Sequence, residues 1–198
     1  MSTVSDIISG VRFELDDSQE TRWTDAQILE GIKKSLRRID NFVIKHGLEF
    51  GKSSTTLTVL EDASTVALPS DFKRDIGLYD GTTPLKKLDT DIFERSTGDG
   101  WRINGSNVEL LEAVTENTSL TFWYYPLTDY SAYTSSSTMP WSGKLDDIVI
   151  NYASLILKNI DEYSVEIDMA LAREIERQLL DVYQPLTPVL QERDGWVS

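Results

Sequence analysis

Adjacent acidic residues are the side chains of this sequence best suited to chemistry. Three pairs stand close together: Asp16-Asp17, Asp89-Thr90-Asp91 and Asp146-Asp147. Two carboxylates held about 5 to 10 Å apart can cleave a glycosidic bond. Each pair also has a structural explanation, because carboxylates are favoured in polar turns and in the first turn of a helix. We therefore predict no catalytic residue.

Other catalytic and metal-binding arrangements lack the residues that they need. The chain has no cysteine, and its one histidine, His46, falls at the end of a predicted helix. The sequence therefore lacks most of the residues that a Ser-His-Asp triad or a two-histidine metal site requires. Asp89 and Asp91 could contact Ca²⁺, but the glycine and distal glutamate of a calcium loop are missing. We expect a protein that is not an enzyme and that binds no metal or cofactor.

The charge of the chain argues against nucleic acid as a tightly bound ligand. The net charge is -14 at pH 7, whereas proteins that hold phosphates do so with clustered Lys and Arg. The largest basic cluster, "KKSLRR" at Lys33–Arg38, predicts a solvated helix face or, alternatively, a docking patch for an acidic partner. No stretch approaches the roughly 20 apolar residues that cross a bilayer, and no signal-peptide pattern is present. We expect no membrane partner.

Both ends of the chain have the spacing of amphipathic helices. Thr24 and Gln27 predict a capping box, and Gly47 predicts a C-cap, so that one helix runs to about His46. A shorter helix precedes it, and two antiparallel helices follow Pro140. The apolar stripes of these four helices are Val4, Ile7, Ile8, Val11 and Leu15; Ile28, Ile32, Leu36, Ile39 and Val43; Leu145, Ile148, Tyr152, Leu155 and Ile160; and Ile167, Leu171, Ile175, Leu179 and Val182.

The middle of the chain has the alternation of strands. "TTLTVL" at Thr55–Leu60 and "STVAL" at Ser64–Leu68 are separated by a loop of hairpin length. Asn104 and Gly105 predict a tight turn between two further strands, because such a turn requires positive backbone φ angles. The last predicted strand is "LTFWYY" at Leu120–Tyr125.

Neither face of that last strand is polar. One face carries Leu120, Phe122 and Tyr124, and the other carries Thr121, Trp123 and Tyr125. A strand that faces water on one side should alternate apolar with polar residues, so we predict that this one is covered on both sides. The cover is either its own fold or another protein chain.

The predicted fold class is α+β, with a helical body built from both ends of the chain and an inserted antiparallel β-sheet. The helical body comprises residues 1–52 and 141–183, and the β-rich insertion comprises residues 53–126. Residues 127–140, rich in Ser, Thr and Tyr, predict a long exposed loop. Residues 184–198 contain two prolines and predict an extended C-terminal tail.

Five short motifs, taken in order, resemble one protein family. They are "RWTDAQILEGIKKSLRRI", "TVALPSDF", "LYDGTTPLKKL", "WRINGSNVELLEAVTENTSLTFWYYP" and, after a long loop, "LDDIVINYASLILKN". Their order and spacing, from about Val4 to Val182, resemble the head-to-tail adaptor (connector) proteins of tailed bacteriophages, which form a ring beneath the portal.

The resemblance implies a structural protein of the virion neck, assembled in the host cytoplasm. It implies a homo-oligomer, a dodecameric ring, that binds the portal protein on one side and tail or nozzle proteins on the other, with DNA only as passing cargo in the channel. Carried over to Gln184–Ser198, it assigns portal docking to the tail residues Pro185, Leu186, Pro188, Val189, Leu190, Trp196 and Val197.

Aromatic side chains outside the predicted core are candidates for contact with other subunits or with tail proteins, because aromatic anchors carry much of the energy of interfaces. These candidates are Trp123, Tyr125, Tyr130, Tyr133 and Trp141. Two alternatives stay open. One is a carbohydrate-binding or glycan-cleaving module, in which Asp146 or Asp89 lines a cleft with Trp123 or Trp141. The other is a tail or capsid accessory protein of unrelated fold.

Overall fold

A computed structural model of the chain describes residues 2–93, 98, 100–162, 173 and 176–180. Contacts between Cα atoms divide the chain into two compact units, which we call the helical unit (Met1–Gly51 with Asp129–Ser198) and the sheet unit (Lys52–Thr128). The helices and strands are α1 (Val4–Glu14), α2 (Asp25–His46), β1 (Ser53–Val59), β2 (Thr65–Ala67), β3 (Phe72–Asp80), β4 (Thr83–Leu85), α3 (Thr90–Phe93), β5 (Trp101–Asn104), β6 (Asn107–Leu110), β7 (Thr118–Pro126) and α4 (Asp146–Glu162). These helices and antiparallel sheets confirm the predicted α+β class.

Some predictions concern residues that the structure does not describe. The tail at 184–198 lies outside the described residues, and so do four members of the last predicted helix stripe, Ile167, Leu171, Ile175 and Val182. Its fifth member, Leu179, is described and is fully buried.

The ends of α2 are those that the sequence predicts. The Thr24 hydroxyl accepts a hydrogen bond from the backbone N–H of Gln27 at 3.3 Å, and the Gln27 Oε1 accepts one from the backbone N–H of Thr24 at 2.9 Å. At the other end, Gly47 has a φ of 67°, in the left-handed region that glycine adopts without strain. The capping box, the C-cap and the helix-end position of His46 are all confirmed.

The core of the helical unit is built from the predicted stripes of α1, α2 and α4. Ile28, Ile32 and Leu36 are fully buried on α2, since residues three and four apart share one face of a helix. Gly10 allows α1 to approach α4 closely, because a Cβ atom there would lie 2.5 Å from Cδ1 of Ile150. The other buried stripe residues of this core are Val4, Ile7, Ile8, Val11, Leu15, Ile39, Val43, Leu145, Tyr152 and Leu155.

The sheet unit contains two antiparallel sheets. The four-stranded sheet has the order β1-β7-β3-β4, and the three-stranded sheet has the order β2-β6-β5. In the first sheet Leu57 lies opposite Leu120, and Leu78 lies opposite Phe122. The four side chains are buried in one core with Trp101, Val108 and Leu110 of the second sheet. Apolar burial between the two sheets therefore holds this unit together.

The prediction of a hairpin between Thr55–Leu60 and Ser64–Leu68 is wrong. β1 pairs with β7, and β2 pairs with β6, so the two neighbouring strands belong to different sheets. Loop length alone cannot exclude this outcome, because the pairing of each strand is decided by partners far along the chain. The predicted tight turn between β5 and β6 is confirmed, with a φ of 59° at Gly105. Its two loop residues are Gly105 and Ser106, and Asn104 pairs with Asn107 at the end of β5 without a positive φ.

The segment at 127–140 is exposed at most of its positions, as expected of a loop, but two of its side chains are buried. Tyr130 and Met139 are buried, 1% and 3% exposed. The backbone N–H groups of Val4 and Ser5 donate to the carbonyls of Ser137 and Ser135, each at 2.9 Å. The first N–H groups of a helix lack partners within the helix, and here the loop supplies them. The loop is therefore a structural cover for the start of α1.

Candidate interaction surfaces

The two faces of β7 have different environments. On the inner face Leu120, Phe122 and Tyr124 are buried, 2%, 0% and 5% exposed. The Tyr124 hydroxyl donates to Oδ1 of Asp71 at 3.0 Å, and burial, followed by that hydrogen bond, raises the pKa of Tyr124. The inner face is thus covered by the sheet unit's own core. This confirms the predicted cover for one of the two faces of the strand.

The outer face of β7 centres on Trp123, which is half-buried. The Lys52 ammonium lies 5.2 Å from the centroid of the Trp123 ring, a cation–π distance. Gly77 pairs with Trp123 across the sheet, and the ring of Tyr79 lies so close to Gly77 that an added Cβ would come within 3.1 Å of it. The missing side chain at Gly77 therefore leaves room for an aromatic ring beside Trp123.

Short polar residues surround these rings. On the edge strand β1, Ser54 lies opposite Trp123 and Thr56 lies opposite Thr121, and both β1 residues are exposed. We call this surface the outer sheet face: Ser54, Thr56, Gly77, Tyr79, Thr121 and Trp123. It contains partly exposed aromatic rings, a residue class that is enriched where proteins bind one another. Sequence alternation located Trp123, but it did not reveal Lys52 and Tyr79, which are brought there by pairing and packing.

The structure separates the five aromatic contact candidates into two groups. Tyr125 and Tyr130 are 2% and 1% exposed within the chain, so they offer almost no surface to another chain in this conformation. The half-buried candidates are Trp123, Tyr133 and Trp141. A contact role stays a prediction for these three.

Tyr133 and Trp141 lie in the segment that covers the start of α1. The Tyr133 ring packs edge-on against Tyr130 at 5.0 Å between centroids, and burial, with the nearby charge of Asp40, raises the pKa of Tyr133. Trp141 packs edge-on against Phe50 at 5.8 Å. Its φ of 56° is unusual for a residue with a side chain, and its backbone turns sharply there.

The acidic pair Asp16-Asp17 has a structural role. Asp17 is buried, and its carboxylate accepts hydrogen bonds from the backbone N–H groups of Thr21, Arg22 and Trp23 at 2.9 to 3.0 Å. The hydrogen bond from Arg22, with those from Trp23 and Thr21, lowers the pKa of Asp17 against the opposing effect of burial. Arg12 donates to the same carboxylate at 3.0 Å. Spacing along a helix could not show this, because residues five apart do not share a helix face.

The acidic pair Asp146-Asp147 also occupies a structural position. Asp146 and Asp147 lie in the first turn of α4, as predicted, where negative charge interacts favourably with the helix dipole. Within the described residues, no three His, Cys, Asp or Glu side chains cluster in a way that would hold a metal ion. No described helix is both long and apolar enough to cross a membrane.

The basic cluster at Lys33–Arg38 is divided by the helix geometry. Lys33 is 8% exposed, and its Nζ donates to the carbonyl of Ser131 at 3.1 Å. Lys34, Arg37 and Arg38 are exposed, and the Arg38 guanidinium lies 5.2 Å from the centroid of the Tyr152 ring. The prediction of a solvated face is therefore wrong for Lys33 and holds for the other three basic residues.

The comparison with protein families identifies the class to which these surfaces belong. Residues 2–184 match the model of a family of phage head-to-tail adaptors, described as "SU10 adaptor protein". The match spans nearly the whole chain, and the chain belongs to that family. No curated protein matches the chain.

Family membership confirms the resemblance found in the sequence. The protein is a structural component of a bacteriophage with an adaptor role in tail assembly. Membership further implies association with phage portal and tail proteins and oligomerisation. It also favours the adaptor over the glycan-binding alternative, in which Asp146 or Asp89 lines a cleft with Trp123 or Trp141.

Proposed function

We propose that the chain assembles as a dodecameric ring that docks on the portal and attaches tail or nozzle proteins around the DNA channel. The observation that carries this proposal is the family match over residues 2–184. A ring with cyclic symmetry is the form that a protein encircling a channel requires, and each subunit must then contact both neighbours.

We propose the outer sheet face as a contact surface for a neighbouring subunit or a tail protein. Trp123 and Tyr79 are half-buried rings next to exposed Ser54 and Thr56. A half-buried tryptophan is already held in place by its own chain, so little side-chain entropy is lost when a partner covers the rest of it. Interfaces are enriched in such aromatic anchors. Trp141 and Tyr133 are further candidates on the helical unit.

We propose that DNA passes through the ring without binding to it. The chain carries a net charge of -14, and a channel wall of that charge would repel phosphate and allow a duplex to slide. The assembly would take place in the host cytoplasm, before the virion neck is complete.

We propose that residues 184–198 dock on the portal, with Trp196, Val197 and the apolar residues around Pro185 and Pro188 as anchors. The test is the chain ending at residue 183, mixed with its portal and imaged by electron microscopy. The control is Leu60→Ala, which truncates a 63% exposed apolar side chain outside the tail. The truncated chain should lose portal docking and keep its thermal unfolding midpoint. Docking equal to that of the full chain would refute the assignment of the tail.

A further inference from the structure

Phe13 is an apolar side chain on the solvent-exposed face of the amphipathic helix α1. The buried stripe of α1 includes Ile8, Val11 and Leu15, and Phe13 lies two positions from the latter two, on the opposite side of the helix. It is 82% exposed, the most exposed of the large hydrophobic side chains in the described residues. A phenylalanine held in water on a rigid helix is a surface that a partner can bury.

The helical unit also has a largely apolar groove, which lies between α2 and α4. Its apolar lining includes Trp23, Ala26, Gly31, Ile156 and Leu157, and its volume is about 340 Å³. Gly31 keeps it open towards α4, because a Cβ there would already contact Cγ of Leu157 at 3.4 Å. A cavity of about 150 Å³ suffices to bind benzene, so this groove has room for one phenyl ring.

The groove floor is rigid, and it has an unused hydrogen-bond donor. The backbone N–H of Trp23 donates to Asp17 at 3.0 Å, and the carbonyl of Trp23 accepts from Arg12 at 3.0 Å. The indole Nε1–H is nevertheless buried with no acceptor among the described residues. That donor is covered by the chain itself, so the fit of an occupant depends on the apolar lining of the groove and on the charges at its rim.

The charges beside the two features are complementary. Glu14 follows Phe13 directly and is exposed, and Lys34 is exposed at the rim of the groove. Glu30 also lines the groove, but its carboxylate is paired with Nζ of Lys33 at 3.2 Å. A carboxylate carried next to a phenyl ring would supply a partner for the Lys34 ammonium. The segment around Phe13 and Glu14 therefore carries a ring of a size that fits the groove and a charge opposite to that of Lys34.

We propose that Phe13 of one copy of the chain inserts into the α2–α4 groove of the next copy. This inference rests on the proposed ring, because a cyclic assembly needs two different patches on each subunit that fit each other head to tail. Phe13 is not among the residues that line the groove, so the two patches are distinct. The outer sheet face then remains available for tail proteins.

The absence of cysteine in the chain provides a direct test by cross-linking. Ser9→Cys places a thiol one turn before Phe13, and Lys34→Cys places one at the groove rim; both positions are exposed. Each single variant, and a mixture of the two, is assembled with the portal and treated with a short bismaleimide. We expect no dimer from either single variant, dimers from the mixture, and a ladder of covalent oligomers from the double variant.

Point variants measure the contribution of Phe13 to assembly. Phe13→Ala should raise the concentration needed for half-assembly about ten- to a hundred-fold, since a buried phenyl ring is lost from the interface. Ala26→Trp, which fills the groove from an exposed position, should have a similar effect. Leu60→Ala removes a comparably exposed apolar side chain from the sheet unit and should leave assembly unchanged.

The outcomes separate this inference from the ring proposal. Portal-bound rings that form normally in Phe13→Ala, or that give no cross-link in the mixture, would refute the contact between Phe13 and the groove and leave the ring standing. Dimers from a single variant alone would show a two-fold contact and would also refute it. A wild-type chain that forms no oligomer with the portal would refute the ring itself.

Discussion

The side-chain Nζ of Lys33 lies 3.1 Å from the carbonyl oxygen of Ser131 and joins α2 to a residue 98 positions later. Lys33 also lies 3.2 Å from Oε1 of Glu30, one turn earlier on the same helix. Lys33 is only 8% exposed, and burying an ammonium group is costly unless it has hydrogen-bond partners. This hydrogen bond is therefore one of the contacts that hold the segment covering the start of α1, beside the backbone hydrogen bonds from Val4 and Ser5.

Replacing Lys33 should loosen that segment. Lys33→Met keeps the apolar stem but removes the donor, and the unpaired carbonyl of Ser131 should cost about 1 to 3 kcal/mol of unfolding free energy. Urea denaturation measures the loss, and amide hydrogen exchange should rise at residues 131–139. Lys34→Met is the matched control, because Lys34 is the next residue of the same helix and is exposed. Exchange that does not change in Lys33→Met would show that the bond does not hold the segment.

Asp17 should make the stability of the helical unit depend on pH. The backbone N–H of Arg22, with those of Trp23 and Thr21, lowers the pKa of Asp17 in the folded chain. A carboxylate whose pKa is lowered by folding stabilises the fold fully above its unfolded pKa, about 3.9. That contribution is lost as the pH falls through the lower, folded pKa. Asp17→Asn should therefore be less stable than wild type at pH 7, and the difference should shrink below about pH 4.

The adjacent residue gives the control for this pH dependence. Asp16 is exposed with a φ of 52°, a conformation that asparagine tolerates well. Asp16→Asn should have nearly the wild-type urea midpoint at both pH values. A difference between Asp17→Asn and wild type that stays constant from pH 7 to pH 3 would contradict the assigned role of the Asp17 carboxylate.

Phe122 and Trp123 are neighbours on β7, but truncating them should affect different properties. Phe122→Ala should reduce stability, and Trp123→Ala should reduce binding. Phe122 is fully buried between the sheets, so Phe122→Ala should lower the unfolding free energy by about 3 to 5 kcal/mol. Trp123 is half-buried with a Lys52 contact, so Trp123→Ala should cost about 1 kcal/mol. We expect Trp123→Ala to fold and to weaken binding to a neighbour or tail protein. Normal binding by a folded Trp123→Ala would remove this residue from the interface.

Local signals in the sequence predicted the features that local physics determines. Thr24, Gln27 and Gly47 marked the ends of α2, because caps satisfy backbone groups within a few residues. Asn104-Gly105 marked the turn between β5 and β6, because a tight hairpin requires a positive φ. The inner face of β7 followed from its two-residue alternation.

Features that depend on distant partners were missed. The pairing of β1 with β7 joins residues 59 to 71 positions apart, and no spacing rule identifies such a partner. The segment at 127–140 has no periodicity because its contacts to α1 use backbone groups, which every residue possesses. The burial of Lys33 was missed for a similar reason, since its acceptor is the backbone carbonyl of Ser131.

The central claim is that the chain forms a ring on the portal. Electron microscopy of the purified chain mixed with its portal tests this most directly, with the portal alone as reference. We predict additional density of twelve copies, arranged in one closed ring coaxial with the portal channel. Portal particles that show no added ring at saturating chain concentration would contradict the proposal.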